Sequence, residues 1–379
     1  MSRKKIDKIK PTLSVRGIIA YAFMFVVNHL FGINKKKYYF EGMGGNYNDN
    51  ARAVSEKMHE LHPDSIIVWG LNRDAVNHNV IPNYIKIANK GYSRLFHRAT
   101  AAGWVSCLIT SNVLYKNSKQ LYVQCWHGDR PLKKILKDVC PMYLFESEHC
   151  DLLTSGSVFY TGIIPHVYGF HGRVLETGCP RNDRLVKVEK DQVSVIKKTL
   201  SLGNDKKVLL YAPTFRDISV NKQKENFNIS RVLKVLEEKT GQEWLCIGRF
   251  HPAAKHEDGF FNKEIIDVTS YYDMADLLLV SDAIITDYSS SATDFTILKR
   301  PIYMYQPDID VYTSKDRELY FDMKDTPFWV AKNQDELEKL IMDKSDKDAA
   351  ENCSAIDELY GTHETGHSSE DVVNFLCNR

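Results

Sequence analysis

Short apolar runs recur along the chain, and most are followed by a stretch whose apolar residues return at helical spacing. This alternation predicts a succession of βα units. Lys37-Tyr-Tyr-Phe-Glu41 and Ser65-Ile-Ile-Val-Trp-Gly70 read as strands on either side of a helix from Asn50 to Leu61, an order that implies a parallel sheet. Leu121-Tyr-Val-Gln-Cys125 and Leu152-Leu-Thr154 complete a first unit. A second begins near Lys206, with strands at Lys207–Ala212, Trp244–Gly248, Ala283–Thr286 and Pro301–Tyr305. Its helices are expected at Ile229–Lys239, Tyr272–Val280 and Ala292–Leu298. The amphipathic stretch Gln334–Met342 belongs to a tail, residues 331–379, expected to pack back on the first domain.

The resulting fold class is α/β: two Rossmann-type domains, 38–189 and 190–330, whose strand ends are expected to face a shared cleft. A chain of 379 residues is long enough for two such cores. With 43% hydrophobic and 26% charged residues it falls among globular proteins rather than disordered ones.

Charge changes the picture at one end. Residues 1–37 hold nine Lys/Arg and one Asp, so the formal net charge of +1 hides a body at −7. Such a body is not expected to bind nucleic acid, whose phosphates call for a basic surface track. The N-terminal basic residues, among them Lys4, Lys5, Lys8, Lys10, Arg16, Lys35, Lys36 and Lys37, flank the apolar segment Gly17–Ile33. Its uninterrupted apolar core, Gly17–Val27, is short of the roughly 20 residues needed to span a bilayer. An interfacial helix on an anionic, cytoplasmic leaflet is the expectation, peripheral or monotopic; a helix of the first domain's core is the alternative. The eight cysteines include no Cys-x-x-Cys pair, which argues for reduced core residues in a reducing compartment rather than a zinc or disulfide framework.

The polar clusters fall where strands end. Ser281-Asp-Ala-Ile-Ile-Thr-Asp-Tyr-Ser-Ser-Ser-Ala-Thr-Asp-Phe295 runs from an apolar strand through a hydroxyl-rich turn into a helix, an arrangement suited to phosphate. The plainer alternative is an ordinary serine N-cap. Four further clusters follow strands: Trp126-His-Gly-Asp-Arg-Pro-Leu-Lys-Lys134, Gly178-Cys-Pro-Arg-Asn-Asp183, Ala212-Pro-Thr-Phe-Arg-Asp217 and Arg249-Phe-His-Pro252. His127, before a glycine, could take a proton from an alcohol or be structural. Arg249 and His251 could stabilise charge on a leaving phosphate or be a surface cation and a cap, and Thr214 and Arg216 face the same choice.

In this order the clusters resemble the glycerophosphotransferase family that uses CDP-glycerol to build teichoic acids and related bacterial polymers. The resemblance runs from about Tyr38 to Tyr312. It is carried by Gly-x-Asn-Tyr-x-Asp-Asn-x-Arg at Gly44–Arg52, Trp126-His-Gly, Pro180-Arg-Asn-Asp, Tyr211-Ala-Pro-Thr, His251-Pro, and Thr286-Asp-Tyr-Ser-Ser followed by Lys299-Arg-Pro. It implies a GT-B-like pair of domains, an acceptor domain first and a CDP-alditol domain second. His127 is then the implied base, while His251 and Arg249 hold the diphosphate with Thr214, Ser289 and Ser290. Asp294 is implied to orient the site or leaving group, and Arg216, Asp129, Arg181, Asn182 and Asp287 are further substrate-binding candidates. Asp129-Arg130 departs from the family pattern; a carboxylate there is expected to act on the tautomer or pKa of His127.

The expected activity is transfer of glycerol phosphate from CDP-glycerol to a hydroxyl of a lipid-linked saccharide or a growing teichoic-acid or capsule-type polymer, releasing CMP. No Asp/Glu pair shows metal spacing, so no obligatory metal is expected, with Mg2+ able to assist the diphosphate. CDP-ribitol transfer, a nucleotide-sugar glycosyltransferase and a non-catalytic membrane scaffold are the alternatives.

Overall fold

The computed structural model describes residues 14–78, 80–108, 115–135, 148–214, 227–250 and 265–378. The chain divides into two compact units: residues 1–129, 135–183 and 363–379 form the first, and residues 130–134 and 184–362 the second. Of the expected 331–379 tail, 331–362 therefore belongs to the second unit and 363–379 to the first.

The first unit is built on seven parallel strands: β1 (Asn34–Glu41), β2 (Ile66–Trp69), β3 (Lys86–Ile87), β4 (Ala101–Ser106), β5 (Leu121–Gln124), β6 (Leu152–Thr154) and β7 (Arg173–Leu175). Their order is β3-β2-β1-β4-β5-β6-β7. Successive residues of β1 serve opposite faces, as the period of a strand requires. Tyr38 and Phe40 join Trp69, Val105, Val54 and Met58 in one core, to which the C-terminal helix Ser368–Cys377 adds Val372, Val373 and Leu376. Tyr39 joins Val68, Trp104 and Tyr122 in the other, closed by Met24 and Val27 of helix Val15–Phe31 and Ala99 of helix Gly91–Thr100.

The second unit repeats the plan with β8 (Lys207–Ala212), β9 (Trp244–Gly248), β10 (Ile265–Asp267), β11 (Ala283–Thr286), β12 (Ile302–Tyr305) and β13 (Trp329–Ala331), all parallel. Their order is β10-β9-β8-β11-β12-β13. Helices Ile229–Thr240 and Gln334–Asp343 cover one face through Val232, Leu236, Leu337 and Ile341. In both units the chain moves outward from the first strand in one direction and then returns to start in the other. That reversal leaves a crevice at the carboxyl ends of β1 and β4, and another at β8 and β11.

Helix Val15–Phe31 keeps a narrow stripe, Met24, Val27 and Asn28, against the first unit. Asn28 is not a break in the pattern: its amide donates to the Ala99 carbonyl at 2.7 Å and accepts from Asn117 at 2.9 Å. Among the described residues no helix is long and apolar enough to cross a membrane.

Candidate functional site

In the first unit the strand-end clusters converge at the carboxyl edge of the sheet. Trp126, two residues after β5, is a non-glycine residue with φ +50°, and this left-handed turn sets the direction of the next residue, His127. The half-buried ring of His127 presents Nδ1 to the Cys107 carbonyl oxygen at 3.2 Å. A carbonyl only accepts, so this bond places the proton of the neutral imidazole on Nδ1 and leaves the lone pair on Nε2. The ring also lies 4.1 Å, centroid to centroid, from the indole of Trp126.

Asp129, expected to act on that tautomer, is buried and accepts from the Gly156 backbone N–H. A tautomer-setting contact to the ring comes from the backbone at Cys107. Arg181 and Asn182 lie in the turn Pro180–Asn182, both buried. The Arg181 guanidinium pairs with Asp49 at 2.9 Å, and the Asn182 amide donates to Glu364 at 2.7 Å. Glu364 also accepts from the Cys179 N–H at 3.0 Å. Gly178 is required there: its φ is +118°, and a Cβ would come within 2.4 Å of the Glu364 carboxylate.

Ligand atoms of Asp129, Cys179 and Glu364 lie within 4.8 Å of one another, a proximity no sequence spacing reveals. Both carboxylates of this group already accept protein N–H groups. The neighbouring thiols of Cys107 and Cys125 are pushed up by burial, first of all causes, so they stay protonated and offer no thiolate nucleophile.

In the second unit Thr214, Arg249, Asp287, Ser289 and Ser290 are brought to the carboxyl ends of three neighbouring strands, β8, β9 and β11. Asp287 ties them: one carboxylate oxygen accepts from the Thr214 N–H at 2.8 Å and from the Tyr288 N–H at 2.6 Å, across the β8/β11 crevice. The Asp287 carbonyl accepts from the buried Gln306 amide at 2.6 Å. Tyr288 is fully buried, stacked on Tyr312 at 3.8 Å and bonded to Asp308 at 3.0 Å, which fixes the turn that carries the serines. Ser289 Oγ accepts from the Ser291 N–H at 3.3 Å, and Ser290 is the N-cap residue. The helix expected at 292–298 is a short α-helix, Ser291–Phe295, followed by a 3-10 turn, Thr296–Leu298. Arg249 is half-buried and its N–H donates to the Tyr211 carbonyl at 2.9 Å.

Asp294 is buried within this unit. It takes a 3.1 Å ion pair from Arg130, whose buried guanidinium also lies 3.6 Å from Asp357. His251 and Arg216 lie outside the described residues. Sequence reasoning gave no individual role to Asn50, Asp183 or Glu364, and noted Arg130 only as a departure from the family pattern. Asn50 sits inside the Gly44–Arg52 motif and could have been found there, whereas nothing near Glu364 signals its role.

The family model described as CDP-Glycerol:Poly(glycerophosphate) glycerophosphotransferase matches residues 22–378. The chain is 32% identical to the teichoic acid poly(glycerol phosphate) polymerase of Bacillus subtilis (strain 168), over 98% of its own length and 52% of that protein, so it spans about half of this relative. It is 33% identical to the teichoic acid glycerol-phosphate transferase of Staphylococcus aureus (strain NCTC 8325 / PS 47), over 80% of the chain and 82% of that protein. A solved structure of a variant of the wall teichoic acid polymerase TagF, soaked with CDPG, superposes with a TM-score of 0.80 at 28% identity, covering 96% of this chain and 95% of that one.

Proposed function

The chain belongs to the CDP-glycerol:poly(glycerophosphate) glycerophosphotransferase family, and from that premise we propose that it transfers glycerol phosphate from CDP-glycerol to a hydroxyl of a lipid-linked saccharide or growing teichoic-acid or capsule-type polymer, releasing CMP. The observation that carries the reading is the His127 ring, whose Nδ1 faces the Cys107 carbonyl and whose Nε2 therefore holds the lone pair a general base needs.

In this reading Nε2 of His127 accepts the proton of the acceptor hydroxyl. The alkoxide oxygen bonds to the phosphorus distal to cytidine as the bond from that phosphorus to the bridging oxygen breaks, and the electron pair leaves on CMP. The crevice at β8 and β11 is assigned to the donor, with Thr214, Ser289, Ser290, Arg249, Arg216 and His251 toward the diphosphate. Asp287 holds the Thr214 and Tyr288 amides in place, which supports a turn rigid enough to meet phosphate oxygens. Arg181 and Asn182 support the acceptor side through the turn they build, and Asp294 acts through its pair with Arg130. Mg2+ is assigned at most an assisting role on the diphosphate. The same reading treats the two Rossmann-type units as a GT-B-like pair acting at the cytoplasmic face of the cell membrane, peripherally attached through helix Val15–Phe31.

The test is a donor screen with a lipid-linked disaccharide acceptor, scoring nucleotide release and product size. CMP release from CDP-glycerol is expected, falling at least about 100-fold in His127→Ala. Turnover of CDP-ribitol or a UDP-sugar in place of CDP-glycerol would overturn the donor. Product sizing separates addition of one unit from polymerisation.

A further inference from the structure

Asn50, the second residue of helix Asp49–Leu61, is fully buried and joins three segments of the first unit. Its Nδ2 donates to the carbonyls of Cys125 at 3.1 Å and Trp126 at 2.8 Å, and its Oδ1 accepts from the Arg181 N–H at 2.9 Å. Both amide hydrogens are thus spent on the two peptides immediately before His127. The next residue of the helix, Ala51, donates its N–H to Cys107 Sγ at 3.1 Å. One helix start therefore grips both the peptide that aims the imidazole and the residue whose carbonyl sets its tautomer.

The grip falls where the backbone is strained. Trp126 (φ +50°) and Asp49 (φ +61°) are both left-handed without being glycine, a strained conformation that persists only where the surroundings hold it. On the other side of the turn, buried Gln124 accepts from the Trp126 N–H at 2.9 Å. The strained residue is braced by two buried amides, Gln124 at its N–H and Asn50 at its carbonyl.

We propose that Asn50 is a positioning residue for the transfer reaction: it holds the left-handed Trp126 peptide so that His127 keeps Nδ1 on the Cys107 carbonyl and Nε2 toward the acceptor hydroxyl. The proposal rests on His127 being the base. Asn50→Asp tests it, because the isosteric carboxylate can still accept from Arg181 but sets an oxygen against two carbonyl oxygens. Asn50→Ala is the second variant, removing all three bonds.

The measurements are CMP release from CDP-glycerol with its pH profile, calorimetric binding of CDP-glycerol, and 15N NMR of histidine-labelled protein. Expected in either variant is a kcat lower by about 100-fold, with KM for CDP-glycerol and its binding within about twofold. The acidic limb of the kcat profile moves, and the His127 ring signals shift from the Nδ1-protonated tautomer toward a mixture. Folded variants with wild-type kcat and an unchanged tautomer overturn the proposal. Loss of CDP-glycerol binding together with kcat also overturns it, since Asn50 would then serve the fold alone. Transfer that survives in His127→Asn sinks the underlying assignment of the base, while the tautomer measurement still reports on Asn50.

Discussion

The imidazole of His127 shows how much a single backbone carbonyl decides: the Cys107 oxygen, 3.2 Å from Nδ1, chooses which nitrogen can act as base. Arg130 shows the same economy with charge. A buried guanidinium is costly unless it is paired, and Asp294, Thr296 and Asp357 stand against its two terminal nitrogens. Lys37 is less well served. It is buried and donates to Thr100, but desolvation and then Lys86 push its pKa down to about 8, while burial, Lys37 and Lys86 push nearby His97 down to about 4. For both groups the folded pKa lies below the unfolded one. The unfolded chain then binds more protons, and stability rises with pH, between about 4 and 6.5 for His97 and between about 8 and 10.5 for Lys37. Below pH 8 the Lys37 penalty is present in full. Lys37→Met is expected to raise stability at pH 7 by on the order of 1 kcal/mol, discounted for the solvent that reaches the ammonium, and to flatten the rise above pH 8. Thermal unfolding from pH 6 to 10 checks this, and a variant less stable at pH 7 refutes it.

At the scale of elements, helix Val15–Phe31 carries more apolar surface than its seat on the sheet needs. Ile18, Ile19, Phe25, Val26, Leu30 and Phe31 stay exposed, and Arg16, Lys35 and Lys36 stand exposed at its ends. Apolar residues ringed by cations suit an anionic bilayer surface. Ile19→Asp with Val26→Asp is expected to abolish co-sedimentation with phosphatidylglycerol vesicles without lowering the unfolding temperature. Equal sedimentation of both proteins would rule the helix out as the membrane contact.

Strands flanked by clear turn chemistry were legible from the pattern: Leu152–Thr154, Lys207–Ala212, Trp244–Gly248 and Ala283–Thr286 lie where it puts them. β4 was not, although it is central. Ala101-Ala-Gly has low strand propensity, and the preceding helix ends at Thr100 with no loop to announce a strand. The edge strands β3, β7, β10 and β13, two or three residues long, carry too little pattern to be seen. Of the candidate site, the chemistry-bearing residues were visible because strand ends expose them, while Asn50 and Glu364 act through contacts far apart in sequence.

At the scale of the molecule, each unit has the same strand order about its own reversal point, and the family match spans nearly all of both. The chain leaves the first unit after Asp183 and re-enters it at His363. These two points are fastened together: the Asp183 carboxylate accepts from the N–H groups of Ser368 at 3.0 Å and Ser369 at 2.8 Å, and from the Ser369 hydroxyl. A chain stopped after Thr362 is expected to lose the first unit's cooperative transition in scanning calorimetry while the second unit's survives. A scan indistinguishable from that of the longer chain would show that helix Ser368–Cys377 is dispensable.

That helix lies over Gly103, where a Cβ would come within 2.8 Å of Leu376. On the ribosome, this patch of sheet emerges early and its cover emerges only after the second unit has been translated. The nascent first unit must therefore wait with an open apolar seam, and exposed hydrophobic surface of that kind favours aggregation until the chain's last helix arrives.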